Sequence, residues 1–464
     1  YVLFVYQYIR DVRLVYAPPR SIGEYGGEID NWMWPRHTGD FTFMRAYVSP
    51  DGKSADYSKN NIPYRPKKYL RVSQKGVDEG DFVFILGYPG RTYRNRTAKY
   101  YTFEERQRKP FMISLFGFII DVLEAAGRES RENEIKVSPM VKSLWNAKKK
   151  YMGQLKAFKR INLTGIKKEE ELQLQAYIDS DIRLKKKYGS LLREIDKLYD
   201  SESRNFELNS LLRFLKYRNI VFGNAYWVYK ASIERLKRDD ERDSSFMNRN
   251  YSRTVRKMVR NLKNYTAAAE KKIFRTLLGR IVSKADKSFV DSLKRIIEYR
   301  KKDTLSLYLD RLVDHIYQTD QFKKEIHFSK MLKKKRRYFD AQESPLFKLV
   351  RIVYHLDQEQ KSFSKAQKGK LDKLSAKLLQ IRQQFKSTHF IPDANSTLRM
   401  TYGSVRAYSP ADGIEYAAFT TLSGLIEKNT ASPPFDATEK LIRLYRKRIF
   451  GNYLHPRLND VPVN

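Results

Sequence analysis

Gly80-Asp81-Phe82-Val83-Phe84-Ile85-Leu86-Gly87-Tyr88-Pro89-Gly90 is an apolar strand ending in a Gly/Pro turn, and no comparable strand follows it through the middle of the chain. Upstream, the first hundred residues are rich in Tyr, Phe, Val and Gly. They are broken by Pro18-Pro19, Gly26-Gly27 and Pro50-Asp51-Gly52, which is the spacing of short strands and turns. Downstream, from about 104 to 390, apolar residues recur with helical spacing: Leu191, Ile195, Leu198 and Tyr199, then Val255, Met258, Val259 and Leu262, then Leu305, Tyr308, Leu309, Leu312, Val313 and Ile316. Past Ile391-Pro392-Asp393 the turn residues return around the strand-like Leu398-Arg399-Met400-Thr401-Tyr402. The order is therefore β, helix, β. Its simplest reading is an all-helical insertion, residues 101–392, in one β domain built from residues 1–100 and 393–464.

A chain of 464 residues with 41% apolar and 13% aromatic content is long enough for two or three domains with real cores, which excludes disorder and collagen-like order. The absence of cysteine excludes a disulfide framework and thiolate chemistry and leaves the compartment open. The apolar run Phe111 to Ile120 is about half of the roughly 20 residues a bilayer crossing needs, so no membrane span is expected. The chain starts at Tyr1 with no Met or leader and stops on Val461-Pro462-Val463-Asn464, so an internal piece of a longer protein is the expectation.

The formal net charge is +38, and nearly two-thirds of the excess lies between residues 201 and 400. Such a balance raises a nucleic-acid partner, because Lys and Arg neutralise phosphate without regard to sequence. The run Lys333-Lys334-Lys335-Arg336-Arg337 is the densest part, and a solvated helix face is its preferred reading.

Several chemistries find no support. There is no Walker-type phosphate loop, no Gly-x-Gly-x-x-Gly after a strand and no His-Glu-x-x-His, and the six histidines are scattered, so neither a metal nor a cofactor is expected. Ser190, Ser404 and Ser423 each lack the flanking glycines of an exposed nucleophile turn. One segment does stand out. Gly26-Gly27-Glu28-Ile29-Asp30-Asn31-Trp32-Met33-Trp34-Pro35-Arg36-His37-Thr38-Gly39-Asp40 packs Trp, Gly, Asn and Asp together just before the strand Phe41 to Val48. Asp40 stands where a loop enters a strand, so buried backbone can hold it and present its carboxylate to an imidazole, the orienting role in Ser-His-Asp catalysis. His37, three residues away in the same turn, is poorly placed to be that imidazole, and Trp34 is assigned to the core.

This segment resembles the bacterial dipeptidyl-peptidase 7 and dipeptidyl-peptidase 11 type of serine exopeptidase. The resemblance also rests on Asp11-Val12-Arg13-Leu14-Val15-Tyr16-Ala17-Pro18-Pro19, Gly87-Tyr88-Pro89-Gly90, Leu398-Arg399-Met400-Thr401-Tyr402-Gly403 and Val461-Pro462-Val463-Asn464. It implies an α+β chain: a chymotrypsin-like double β-barrel, incomplete here, interrupted by a large helical cap. It implies release of dipeptides from peptides with a free N-terminus by acyl transfer to a serine. Carried over by motif, Asp40 is the triad acid. Asn31 and Trp32 hold the substrate's ammonium, and Asn146, in Leu144-Trp145-Asn146-Ala147-Lys148, reaches the same group. The family's triad His lies upstream of the motif and its Ser follows the Val-Pro-Val-Asn strand, so the resemblance puts both outside residues 1–464. It further implies export to the periplasm or surface of a Gram-negative bacterium and is compatible with a homodimer. The preference for hydrophobic or acidic residues at the penultimate position is not carried by these residues. The alternative is a peptidase-derived chain that has lost catalysis and binds RNA or another polyanion through its basic helical block.

Overall fold

Phe82 pairs with Ser404 and Gly87 with Arg399, so two strands separated by the entire helical region run antiparallel in one sheet. This pairing joins the two ends of the chain. The computed structural model describes residues 5–73, 75–300, 302–318, 322–386 and 391–463. It divides into one unit of Tyr1–Thr92 with Ala394–Asn464 and a second of Tyr93–Asp393. Asn464 of the Val-Pro-Val-Asn motif lies outside the described residues.

The described residues of the first unit form seven strands: β1 (Asp11–Tyr16), β2 (Phe43–Val48), β3 (Ile62–Pro63), β4 (Phe82–Gly87), β5 (Arg399–Ser404), β6 (Tyr408–Ala411) and β7 (Ile414–Tyr416). Among the described residues they form a three-stranded sheet in the order β1-β2-β3 and two antiparallel pairs, β4-β5 and β6-β7. Asp11 is buried at the start of β1 and accepts from Arg13 Nη2 and from Asn61 Nδ2, each at 2.8 Å, which ties the strand to the loop before β3. The unit's buried cluster is small: Tyr25, Leu422, Leu425 and Phe450. An apolar strand such as β4 ordinarily lies covered on both faces, yet Phe84, Ile85 and Leu86 are exposed, as are Met400 and Tyr402 of β5.

The second unit is helical among its described residues, and its core explains the periodicity. Leu115, Ile119 and Ile120 on the Lys109–Arg128 helix pack into one cluster with Phe222, Phe274, Leu277, Leu349 and Val350. A smaller cluster joins Leu174, Ile178, Tyr199 and Ile381. Capping sets several boundaries: the Ser130 side chain accepts the Asn133 N–H ahead of the Arg131–Arg160 helix, and Asp286 accepts the Phe289 N–H ahead of Lys287–Lys294. The Phe111 to Ile120 run belongs to a longer helix than its own length indicates. Ala98–Phe103 and a π turn at Glu104–Arg108 extend it to Ala98–Arg128, which by length and composition alone is apolar enough to cross a membrane. Half of its apolar window is buried within the protein. The buried Glu104 carboxylate in the π turn is bonded by Arg108 and Lys109, a full pairing that a charge in that position requires.

Candidate active site

The loop that links β1 to β2 carries three of the four residues singled out by sequence. Its path is set by backbone requirements. Gly26 adopts φ +77°, and a Cβ there would meet Asp30 Oδ2 at 2.4 Å, so no larger residue fits. The Tyr25 ring is buried beneath it, with its hydroxyl donating to the Leu425 carbonyl at 2.7 Å. Asp30 is also buried, and Lys428 Nζ lies 2.9 Å from both Asp30 Oδ2 and the Pro35 carbonyl oxygen. Two segments far apart in sequence thus clamp the loop.

Asn31 is buried, and its Nδ2 donates to Glu28 Oε2 at 2.9 Å. Trp32, next in sequence, has φ +61° and leaves its side chain 70% exposed. Left-handed backbone at a bulky residue is strained by about 1–3 kcal/mol and persists only where its surroundings impose it. The result is a fixed amide beside a projecting indole.

Asp40 closes the same loop. Its neighbours are anchored, with Gly39 N–H donating to the Ile22 carbonyl at 2.8 Å and Thr38 Oγ1 to the Gly23 carbonyl at 2.9 Å. Its carboxylate is exposed and has no hydrogen-bond or ion-pair partner among the described residues. The expectation of an Asp held by buried backbone is not met among the described residues: Thr38 and Gly39 are hydrogen-bonded but only half-buried, Phe41 is exposed, and no described element packs over the carboxylate. His37 is 2% exposed against the Leu422–Glu427 helix, where a Cβ on Gly424 would meet its Nε2 at 3.0 Å. Burial, and then the Lys428 charge, hold its imidazole below the ordinary range.

Asn146 lies in the second unit, exposed on the Arg131–Arg160 helix. Next to it, Trp145 Nε1 donates to Glu124 Oε1 at 2.9 Å and Lys148 Nζ sits 4.5 Å from the indole centroid. Sequence reasoning missed Glu28 and Lys428. Neither carries a motif of its own, and for Lys428 the only signal is its contact with a residue in the other segment. Among the described residues no group of His, Asp and Glu is arranged to hold a metal ion.

The comparisons with known proteins agree with one another. The peptidase S46 family model matches residues 1–464. An Asp/Glu-specific dipeptidyl-peptidase of Shewanella putrefaciens is 31% identical over 450 residues, covering 96% of this chain and 60% of the relative. Dipeptidyl-peptidase 7 of Phocaeicola vulgatus is 31% identical over 468 residues, covering 100% and 63%. The crystal structure of Porphyromonas endodontalis DPP11 in complex with the dipeptide Arg-Glu matches with a TM-score of 0.75 and 27% identity, over 98% of this chain and 64% of that one. The chain thus spans 60% and 63% of the length of these two curated relatives.

Proposed function

This chain belongs to the peptidase S46 family, and from that membership we propose that it serves a serine-type dipeptidyl-peptidase, releasing dipeptides from the free N-terminus of peptides. The reading is supported by relatives named as dipeptidyl-peptidases and by a similar structure whose bound ligand is a dipeptide. Within the chain one observation carries it: a buried, oriented Asn31 stands beside an exposed Trp32 in the loop that ends at Asp40.

The chemistry follows from those groups. The Asn31 amide oxygen accepts from the substrate's α-ammonium while its Nδ2 is engaged by Glu28. The Trp32 indole face adds a cation–π attraction of about 0.5–2 kcal/mol, depending on desolvation. Asn146 supplies a further acceptor. A substrate with a blocked amine loses the charge-assisted hydrogen bonds its ammonium makes here, which is the source of specificity for free N-termini. Asp40 orients the imidazole of the triad and stabilises the imidazolium formed when that base takes the serine proton during acyl transfer. In this proposal the strands belong to a chymotrypsin-like double barrel and the helical unit is its cap. Export to the periplasm or cell surface rests on the resemblance alone. The test is kinetic: replacing Asn31 in the full-length enzyme weakens catalysis on free-amine substrates selectively, and an equal loss on acetylated ones contradicts the assignment.

A further inference from the structure

The Asn248–Leu262 helix carries Arg249, Arg253, Arg256, Lys257 and Arg260 and no acidic residue. Arg249, Arg253, Arg256 and Arg260 follow i, i+4, i+7, i+11 spacing, so they share one face over ~16 Å of helix. All four are exposed, and none forms an ion pair among the described residues. The opposite face is already occupied, because Val255, Met258 and Val259 pack against the helical core and Leu262 lies within it. The register of the arginine face is therefore fixed by packing.

A second basic element lies alongside. The Glu325–Leu332 helix packs against the Asn248–Leu262 helix, and Arg235 bridges the two, donating from Nη1 to the Leu332 carbonyl at 3.3 Å with its guanidinium carbon 5.9 Å from the Tyr251 ring centroid. Directly after Leu332 comes the exposed run Lys333 to Arg337. Asp239 pairs with Arg242 and Asp240 with Arg238, whereas Asp340 takes up one charge of the run itself by pairing with Arg336, and Glu325 stands exposed on the neighbouring helix. Two large apolar side chains stand exposed on the adjoining elements, Leu236 at 72%, next to Arg235, and Ile326 at 62%, on the Glu325–Leu332 helix. Ile326 shares a helix face with Lys330, four residues on.

We propose that this surface docks the helical unit on a bilayer that carries anionic headgroups. Arginines present a planar fork suited to phosphate, and the row can lie along a charged plane. Exposed apolar side chains among cations are the combination that binds at the headgroup boundary. A nucleic acid explains less. Phosphate contacts alone give Leu236 and Ile326 no role, and Tyr251 and Tyr338, the nearest aromatic rings, lie partly buried next to cations rather than open for base stacking.

The experiment is vesicle flotation of the protein with phosphatidylcholine alone and with an equimolar phosphatidylcholine–phosphatidylglycerol mixture. Wild type should float with the anionic vesicles only, and less at high salt. The variant Arg249→Gln/Arg253→Gln/Arg256→Gln/Arg260→Gln should bind them on the order of 1,000-fold more weakly. The corresponding four-lysine variant should retain most binding, and Ile326→Ser should lose part of it. Circular dichroism of each variant checks folding, and the lysine variant reports on charge should the glutamine variant not fold. Equal flotation with both vesicle types, or anionic-vesicle binding that the glutamine variant retains, overturns the proposal. So does displacement of the vesicles by duplex DNA of the same phosphate concentration, which assigns the surface to nucleic acid instead.

Discussion

Lys428 Nζ sits 2.9 Å from the buried carboxylate of Asp30, a partner 398 residues away. The Asp30 side chain is 8% exposed, so removing the ammonium strands a charge out of water. Breaking a fully buried pair from one side costs about 3–5 kcal/mol, and the 30% exposure of the Lys428 side chain brings the expected loss below that. Lys428→Met should therefore lower the thermal midpoint of the first unit markedly, whereas the double change with Asp30→Asn should recover part of the loss. A double variant no more stable than the single one contradicts a direct coupling.

The clamp matters because it holds the loop that carries Asn31. In the full-length enzyme, Asn31→Ala should raise KM for free-amine dipeptidyl substrates and reduce kcat/KM by about 10- to 100-fold, the worth of a charge-assisted hydrogen bond of about 1.5–3 kcal/mol. N-acetylated analogues, cleaved poorly from the outset, should be little changed. Parallel losses on both series would assign Asn31 to loop structure rather than to the amine.

In the helical unit, Glu270 is buried and its two carboxylate oxygens accept the Ile220 N–H at 2.7 and 3.0 Å. Burial dominates and pushes its pKa up to about 7 from 4.5, against the opposing effect of the Ile220 and Val221 N–H groups and the Tyr317 hydroxyl. The folded protein thus holds this proton more tightly than the unfolded chain. The stability from this group is complete below pH 4.5 and is lost as pH rises through about 7. The loss is on the order of 3 kcal/mol. Melting Glu270→Gln alongside wild type at about pH 5 and about pH 8 should show the variant gaining relative to wild type at the higher pH. A gap that does not move with pH contradicts it.

A formal charge of +38 should also act at a distance. Raising ionic strength from 0.01 to 0.15 M shortens the Debye length from about 30 to about 8 Å. The kcat/KM of substrates bearing acidic side chains should fall over that range while that of neutral substrates stays nearly level. A flat profile for both removes electrostatic steering from the account.

Much of this was legible in the chain because the signals were local. The apolar run 82–87 and the strand-like stretch 398–402, which ends at Gly403, became β4 and most of β5, and the dense loop at 26–40 became the link holding Asn31, Trp32 and Asp40. The periodic run from Leu305 to Ile316 became one helix. What escaped depends on partners far away in sequence. Lys428 has no mark of its own until Asp30 is beside it, and Glu270 reads as a surface acid until the Ile220 N–H is placed against it. The Phe111 to Ile120 run looked short because the π turn at Glu104–Arg108 continues the helix through residues whose charges pair internally. The exposure of the Asp40 carboxylate depends on what packs over the loop, which spacing does not encode.

The proposed role of Asp40 in orienting the triad imidazole is tested by kcat of Asp40→Asn in the full-length enzyme. The amide keeps the size of the side chain and removes its charge, so KM should hold while turnover falls on the order of 10⁴-fold. Turnover within tenfold of wild type would contradict the assignment.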